Sequence, residues 1–288
     1  VKRILVPLDG SRLSEAIIPL ATVVARGHGA ELLLIRVLSR QESPDVHARA
    51  HQEAEAYLTG IAAGLVTHDV AVRWTVCCGP PDQLIVEAAR DREVDLVMMS
   101  THGRGAVLPS VAERVVRQAP VPVLLVRGEF AWQQGHVGRI VVPLDGSGLA
   151  ASILPLVAQL AAPFDFTIDL LRAVEPLPGY ASVEVSATKR DEMRRLHTAD
   201  ADEYLTKVAG PLEALGLRVS RSIAYGPPSA AIVGHAREVG AGLIAMSTHG
   251  RTGLSRLLLG SVAERVMRAA PVPLLLWKVP APAEVTSR

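Results

Sequence analysis

The sequence predicts an α/β protein made of two tandem doubly wound domains, each a five-stranded parallel sheet flanked by helices. Short β-branched apolar runs alternate with stretches whose apolar residues recur at helical spacing. That alternation runs through the chain twice, and the two rounds share much of their wording. Strands separated by helices imply parallel β-α-β units, whose ligands sit at the carboxyl ends of the strands near the switch point.

The first round begins with RILVPL (3–8), apolar enough for a strand covered on both faces. DGSRLSEAIIPLATVVARGHGA (9–30) follows as one helix, with a serine cap, an apolar face and a closing glycine. ELLLIRVL (31–38) is the second strand, and VHARAHQEAEAYLTGIAAGL (46–65) is a charged helix leading to VAVRWTVCCG (70–79), the third strand. PPDQLIVEAARDREV (80–94) is a helix opened by proline in its first turn, and DLVMMS (95–100) is the fourth strand. SVAERVVRQA (110–119) and PVPVLLV (120–126) close the round as helix and strand.

The second round answers almost word for word. KRILVPLDGS (2–11) returns as GRIVVPLDGS (138–147), CGPPDQLIVEAAR (78–90) as YGPPSAAIVGHAR (225–237), and SVAERVVRQAPVPVLLV (110–126) as SVAERVMRAAPVPLLLW (261–277). The period is a whole domain, as expected of a tandem duplication. Domains are expected over 1–128 and 138–280, joined by the Gly- and Gln-rich linker RGEFAWQQGHVG (127–138). The offset between copies grows from 136 at Asp9 and Asp145, to 147 at Gly79 and Gly226, to 151 at Ser110 and Ser261. The second copy is therefore longer around EPLPGYASVEVSATKRDEM (175–193) and, by four residues, within STHGRTGLSRLLLGSVAERV (247–266).

Composition narrows the function. With 288 residues and 49% hydrophobic content the chain can bury two ordinary cores, and 30 Lys+Arg against 29 Asp+Glu leave a net charge of +1. No overall charge draws it to nucleic acid or to an anionic membrane. The expectation is a soluble cytoplasmic protein with no nucleic-acid or membrane partner, because no apolar run approaches the ~20 residues of a spanning helix. Cys77 and Cys78 have neither zinc nor disulfide-framework spacing. As strand neighbours they face opposite ways and read as passive residues. The KRDEMRR stretch (189–195) carries both signs and reads as a solvated helix face.

Chemistry concentrates in the loop that starts at Ser247. Gly250 lies just past the fourth strand of the second copy, and Gly260 and Ser261 stand at the start of its last helix. A loop that returns to a helix N-terminus aims backbone N–H groups and the positive dipole end at one spot, which suits phosphate. Arg251 and Arg256 supply charge nearby. Ser261-Val-Ala-Glu264 is equally a capping box, repeated at Ser110-Val-Ala-Glu113. The first copy carries Pro109 where the second has Gly260, so it keeps the helix start and has no N–H at that point. Asp9 and Asp145 follow the first strand of each copy; each either accepts hydrogen bonds from a nucleotide's adenine or ribose or closes the turn into the helix. Ser11 and Ser147 read as caps, and His102 and His249 as turn residues. No G-x-x-x-x-G-K-[ST] loop, no G-x-G-x-x-G after the first strand and no G-x-S-x-G elbow is present.

At these residues the chain resembles the universal stress protein family in a tandem form. That family's ATP-binding pattern is G-x-x-G-x9-G-[ST]; Gly250, Gly260 and Ser261 match it, and Ser247 stands where it has its first glycine. The resemblance implies sheet order 3-2-1-4-5 in each copy, with dimerisation through the last strand, here as an intramolecular pseudo-dimer or a homodimer. It implies that Asp145 and Val174 hold the adenine side of ATP, and that Ser247, Gly250, Gly260, Ser261 and Val262 contact ribose and phosphates, with or without Mg. In the first copy Asp9, Val37 and Gly103 match, and the distal part does not. The implied function is an ATP-binding stress-response regulator with the second copy as binding domain and an unknown protein partner. The alternatives are a slow ATPase or self-phosphorylating enzyme, and an interaction scaffold that binds no nucleotide. No catalytic or metal-binding residue is assigned.

Overall fold

The computed structural model describes residues 1–39, 43–101, 110–127, 138–175, 187–249 and 259–278. The first copy runs β1 (Arg3–Pro7), α1 (Arg12–Glu15), α2 (Ile18–His28), β2 (Glu31–Leu38), α3 (Pro44–Val66), β3 (Val72–Cys78), α4 (Pro81–Asp91), β4 (Leu96–Thr101), α5 (Val111–Gln118) and β5 (Val123–Arg127). The second repeats it with β6 (Arg139–Pro143), α6 (Gly148–Ala151), α7 (Leu154–Ala161), β7 (Thr167–Val174), α8 (Ala187–Ala214), β8 (Arg218–Tyr225), α9 (Pro228–Glu238), β9 (Leu243–Ser247), α10 (Ser261–Ala269) and β10 (Leu274–Trp277). Most of the linker and most of the insertion at 175–193 lie outside the described residues.

Each copy has its strands in the order 3-2-1-4-5, all parallel, as the family resemblance implies. The two sheets are joined. Strand β5 pairs antiparallel with β10, Leu125 opposite Leu274, Leu124 opposite Leu275 and Val123 opposite Leu276, giving one ten-stranded sheet with β3 and β8 as its outer edges. Both joining strands are apolar on both faces, and pairing them within the chain covers two edges that would otherwise template association. Each fully buried leucine there contributes about 1.5–3 kcal/mol.

Packing crosses the same line. One apolar layer takes residues from α2 and α3 of the first copy and α7 and α8 of the second, and the opposite layer takes residues from α4, α5, α9 and α10. Gly27 in α2 lies against Phe164, where an added Cβ would meet the ring at 2.3 Å, and the His28 ring meets Phe164 edge-on at 6.0 Å. Two further contacts are reciprocal. The Arg127 guanidinium donates to the Arg268 carbonyl at the C-terminus of α10, and Lys278 Nζ donates to the Arg117 carbonyl at the C-terminus of α5, at 2.8 Å. Each cation thus meets the negative end of the other copy's last helix.

Two local differences from the sequence expectation have simple causes. The helix expected over 9–30 is broken into α1 and α2, because Pro19 has no N–H and its ring opposes the carbonyl of residue 15. Pro155 does the same between α6 and α7. The second copy also carries a charged cluster in its core. Asp169 is fully buried and accepts from Ser222 Oγ at 2.8 Å, with His235 Nε2 2.8 Å and Arg139 3.5 Å from its other oxygen. The corresponding positions of the first copy hold Leu33, Thr75 and Ala88, so the two copies share a fold while differing in the polarity of this part of the core.

Candidate functional site

Strand order puts β6 between β9 and β7, so the carboxyl ends of β6 and β9 adjoin at the switch point of the second copy. Asp145 leaves β6 there. Its Oδ1 accepts from the Ser147 N–H at 2.9 Å and the Ser147 hydroxyl at 2.6 Å, and Ser147 Oγ in turn caps α6 by accepting from the Ala150 N–H. Asp9 accepts from the Ser11 N–H at 2.8 Å in the same way. Both aspartates thus close the turn into the helix.

Ser247, at the end of β9, is 6% exposed, and its hydroxyl donates to the Leu149 carbonyl at 2.8 Å. That bond ties β9 to α6 across the crevice. Ser100 repeats it in the first copy, donating to the Ser14 carbonyl at 3.3 Å. The serine that replaces the family's first glycine therefore has a structural task for its side chain.

Gly260 sits against the next residue of that strand end. Its N–H donates to the Thr248 carbonyl at 2.9 Å, and a Cβ on Gly260 would lie 2.7 Å from the same oxygen. Glycine is needed here for close approach, since its φ of −60° is open to any residue. The N–H expected to face an anion is thus already taken. The bond also sets the helix start: Gly260 becomes the N-cap of α10, its carbonyl accepting from the Glu264 N–H at 2.9 Å, and Ser261 becomes the first helical residue.

This changes the reading of the two serines. Ser110 is the N-cap of α5, its hydroxyl accepting from the Glu113 N–H at 3.2 Å, as a capping box requires. Ser261 is not a cap. It is exposed, and its hydroxyl makes no hydrogen bond among the described residues. Helical geometry leaves the N–H groups of Ser261, Val262 and Ala263 without an intrahelical acceptor. Donors and dipole therefore converge at residues 261–263, one step along from where the sequence places them.

The valines assigned to the adenine side are not equivalent. Arg3 pairs with Glu31 and Arg139 with Thr167, so Val37 corresponds in register to Ala173, while Val174 corresponds to Leu38. Val37 packs on the layer containing α4 and α5, and alternation along the strand sends Val174 to the opposite face. Gly250, Gly103, Pro109, His102, Arg251 and Arg256 lie outside the described residues. His249 Nδ1 lies 2.9 Å from the Thr248 hydroxyl.

Sequence reasoning missed a contrast between the two crevices. In the first copy, Arg36 lies against Gly10 and 4.9 Å above the Tyr57 ring, and the Tyr57 hydroxyl donates to Glu15 Oε1 at 2.8 Å. Burial, and then the Glu15 carboxylate, push the Tyr57 hydroxyl well above its ordinary pKa. In the second copy Glu15 is replaced by Ala151, and Arg172 turns to the Leu144 carbonyl at 3.1 Å. The signal was present as the Glu-to-Ala difference, but only the fold brings residues 15, 36 and 57 together.

A sequence profile of the Universal stress protein family matches residues 1–127 and 136–278. The chain belongs to the universal stress protein family. A universal stress protein of Methanocaldococcus jannaschii is 34% identical over 147 residues, covering 49% of this chain and 82% of the relative. One from Mycobacterium tuberculosis is 29% identical over 192 residues, covering 64% of this chain and 62% of the relative. The crystal structure of an Archaeoglobus fulgidus universal stress protein superposes with a TM-score of 0.73 at 20% identity, covering 96% of this chain and 98% of that one, so both copies share its fold. No helix among the described residues of this universal stress protein is long and apolar enough to cross a membrane.

Proposed function

We propose that this universal stress protein is an ATP-binding regulator whose nucleotide is held by the second copy, between the turn at Asp145 and the N-terminus of α10. The observation that carries this reading is the difference between the two helix starts. Ser110 spends its hydroxyl on its own helix, whereas Ser261 presents a hydroxyl beside the N–H groups of residues 261–263. A triphosphate fits such a set of donors, which meet negative charge with backbone dipoles and need no side-chain cation. Val262 takes part through its N–H, Ser247 by fixing the floor of the crevice to α6, and any Mg arrives on the nucleotide. The Arg36–Tyr57–Glu15 group supports leaving the first copy, with Asp9 and Val37, out of the binding reading. Nucleotide occupancy would then be what a partner protein senses.

The test uses the intact chain, because its two copies share a sheet and both core layers. ATP is titrated against the wild type and against Ser261→Ala, reading melting temperature and bound nucleotide per chain. About one ATP per chain is expected. Losing the hydroxyl should weaken binding about tenfold, the worth of one hydrogen bond to a charged group. Absence of any shift at millimolar ATP, or two equal sites per chain, would overturn the proposal.

A further inference from the structure

The adjacent cysteines part company in the fold. Cys77 and Cys78 end β3, an outer edge strand, and face opposite sides of the sheet. Cys77 packs against the apolar layer that contains α4. Cys78 faces α3, where its Sγ lies 3.5 Å from His47 Nε2. Both thiols are half-buried, so exposure does not separate them. What separates them is a base within reach of one sulfur, the arrangement that activates a nucleophile.

The second copy shows what the same place looks like without a nucleophile. His47 corresponds to Arg194 and Cys78 to Tyr225, and Arg194 lies 4.1 Å above the Tyr225 ring, whose hydroxyl is 2.8 Å from Thr198 Oγ1. Both copies thus clasp the long helix to the end of the third strand through side chains at these positions. Only the first copy makes that clasp from a thiol and an imidazole.

We propose that Cys78 is the reactive thiol of this chain, with His47 as its proton acceptor, and that its co-substrate is a small hydroperoxide. The sulfur electron pair attacks one peroxide oxygen, the S–O bond forms and the O–O bond breaks. The thiol proton passes through His47 Nε2 to the departing oxygen. Sulfur is oxidised to a sulfenic acid, and the peroxide is reduced to water or an alcohol. The added oxygen enlarges and polarises Cys78 within the clasp, so the chemistry is read out where α3 meets the edge strand. None of this depends on nucleotide binding.

Two full-length single-cysteine proteins, Cys77→Ala and Cys78→Ala, are treated with hydrogen peroxide and dimedone, and the adduct is followed by mass spectrometry. Alanine at 77 is the residue the second copy uses, at Ala224. The protein retaining Cys78 should trap dimedone about tenfold faster than the one retaining Cys77, below the ~10²–10⁴-fold usual for a positioned base because a thiol is already partly ionised near pH 7. Adding His47→Gln to the Cys77→Ala background should lower the rate about tenfold at a temperature well below its melting point, and should alter its pH profile. His47→Arg introduces a positive charge beside the sulfur and cannot take the proton, so it should fall as far as His47→Gln. Equal trapping at the two cysteines, or a His47→Gln or His47→Arg rate within about twofold of its parent, would overturn the proposal.

Discussion

Replacing Gly260 by alanine tests the hinge of the candidate site, the seat of α10 on the end of β9. The backbone at 260, with φ −60° and ψ 145°, suits alanine, so no conformational strain enters. The cost is one contact. The new Cβ would fall 2.7 Å from the Thr248 oxygen, whereas carbon and carbonyl oxygen settle at about 3.3–3.6 Å. The helix start must therefore retreat by about 0.6 Å, stretching the Gly260–Thr248 hydrogen bond. Overpacking of this kind costs about 1–3 kcal/mol, and the weakened bond up to about 1 kcal/mol more. The stiffer unfolded chain offsets about 0.4–1 kcal/mol. A net loss of about 2 kcal/mol should lower the melting temperature by about 4–8 °C. Gly260→Pro is the companion: its φ is allowed, but it removes the N–H, as Pro109 does in the first copy, and it should also destabilise. The assay is calorimetry with and without ATP. Were both variants to melt within about 1 °C of wild type, the close approach on which the α10 start depends would be refuted.

Further outcomes follow from the core and from the join between copies. Burial holds the His28 imidazole below its ordinary pKa of 6.5, against the opposing pull of its hydrogen bond to the Leu160 carbonyl. The unfolded chain then binds more protons, so this contribution to stability is whole above pH 6.5 and is lost as pH falls through the lowered folded value. His28→Phe, the residue found at Phe164, should flatten the fall in urea midpoint between neutral and mildly acidic pH; an unchanged slope would remove the assignment. Asp169→Leu alone should cost about 3–5 kcal/mol by leaving Ser222, His235 and Arg139 without their buried acceptor. Adding His235→Ala and Ser222→Thr, which reproduces the first copy's residues, should restore most of the loss in chemical denaturation; failure to recover would show that the two cores are not interchangeable. Arg127→Ala and Lys278→Ala should each lower stability by about 0.3–1 kcal/mol, in a nearly additive way, since each removes one cation from one helix C-terminus. Strong non-additivity would mean that the two contacts act as a single lock.

Legibility differed by level. The ten strands, their alternation with helices and the strand order within each copy follow from apolar runs, prolines and glycines that act over a few residues, together with the family resemblance. The join between PVPVLLV and PVPLLLW was implied by the family resemblance, as an intramolecular pseudo-dimer through the last strands. Finer site assignments were not. Val37 and Val174 look alike beside their neighbours, yet strand register sets them one residue apart and on opposite faces. Ser110 and Ser261 begin the same four-residue word, yet one caps its helix and the other stands inside it, because Thr248 reaches the N–H of Gly260 across the strand end. The sequence by itself determined periodicity and duplication, and pointed to the strand end and helix start where backbone donors gather, since those rest on local sterics and on which faces must leave water. Tertiary structure alone decided which serine caps its helix, which arginine fills a crevice and which cysteine meets a histidine. Those outcomes turn on distances of a few tenths of an ångström between segments tens of residues apart, and no local preference encodes them.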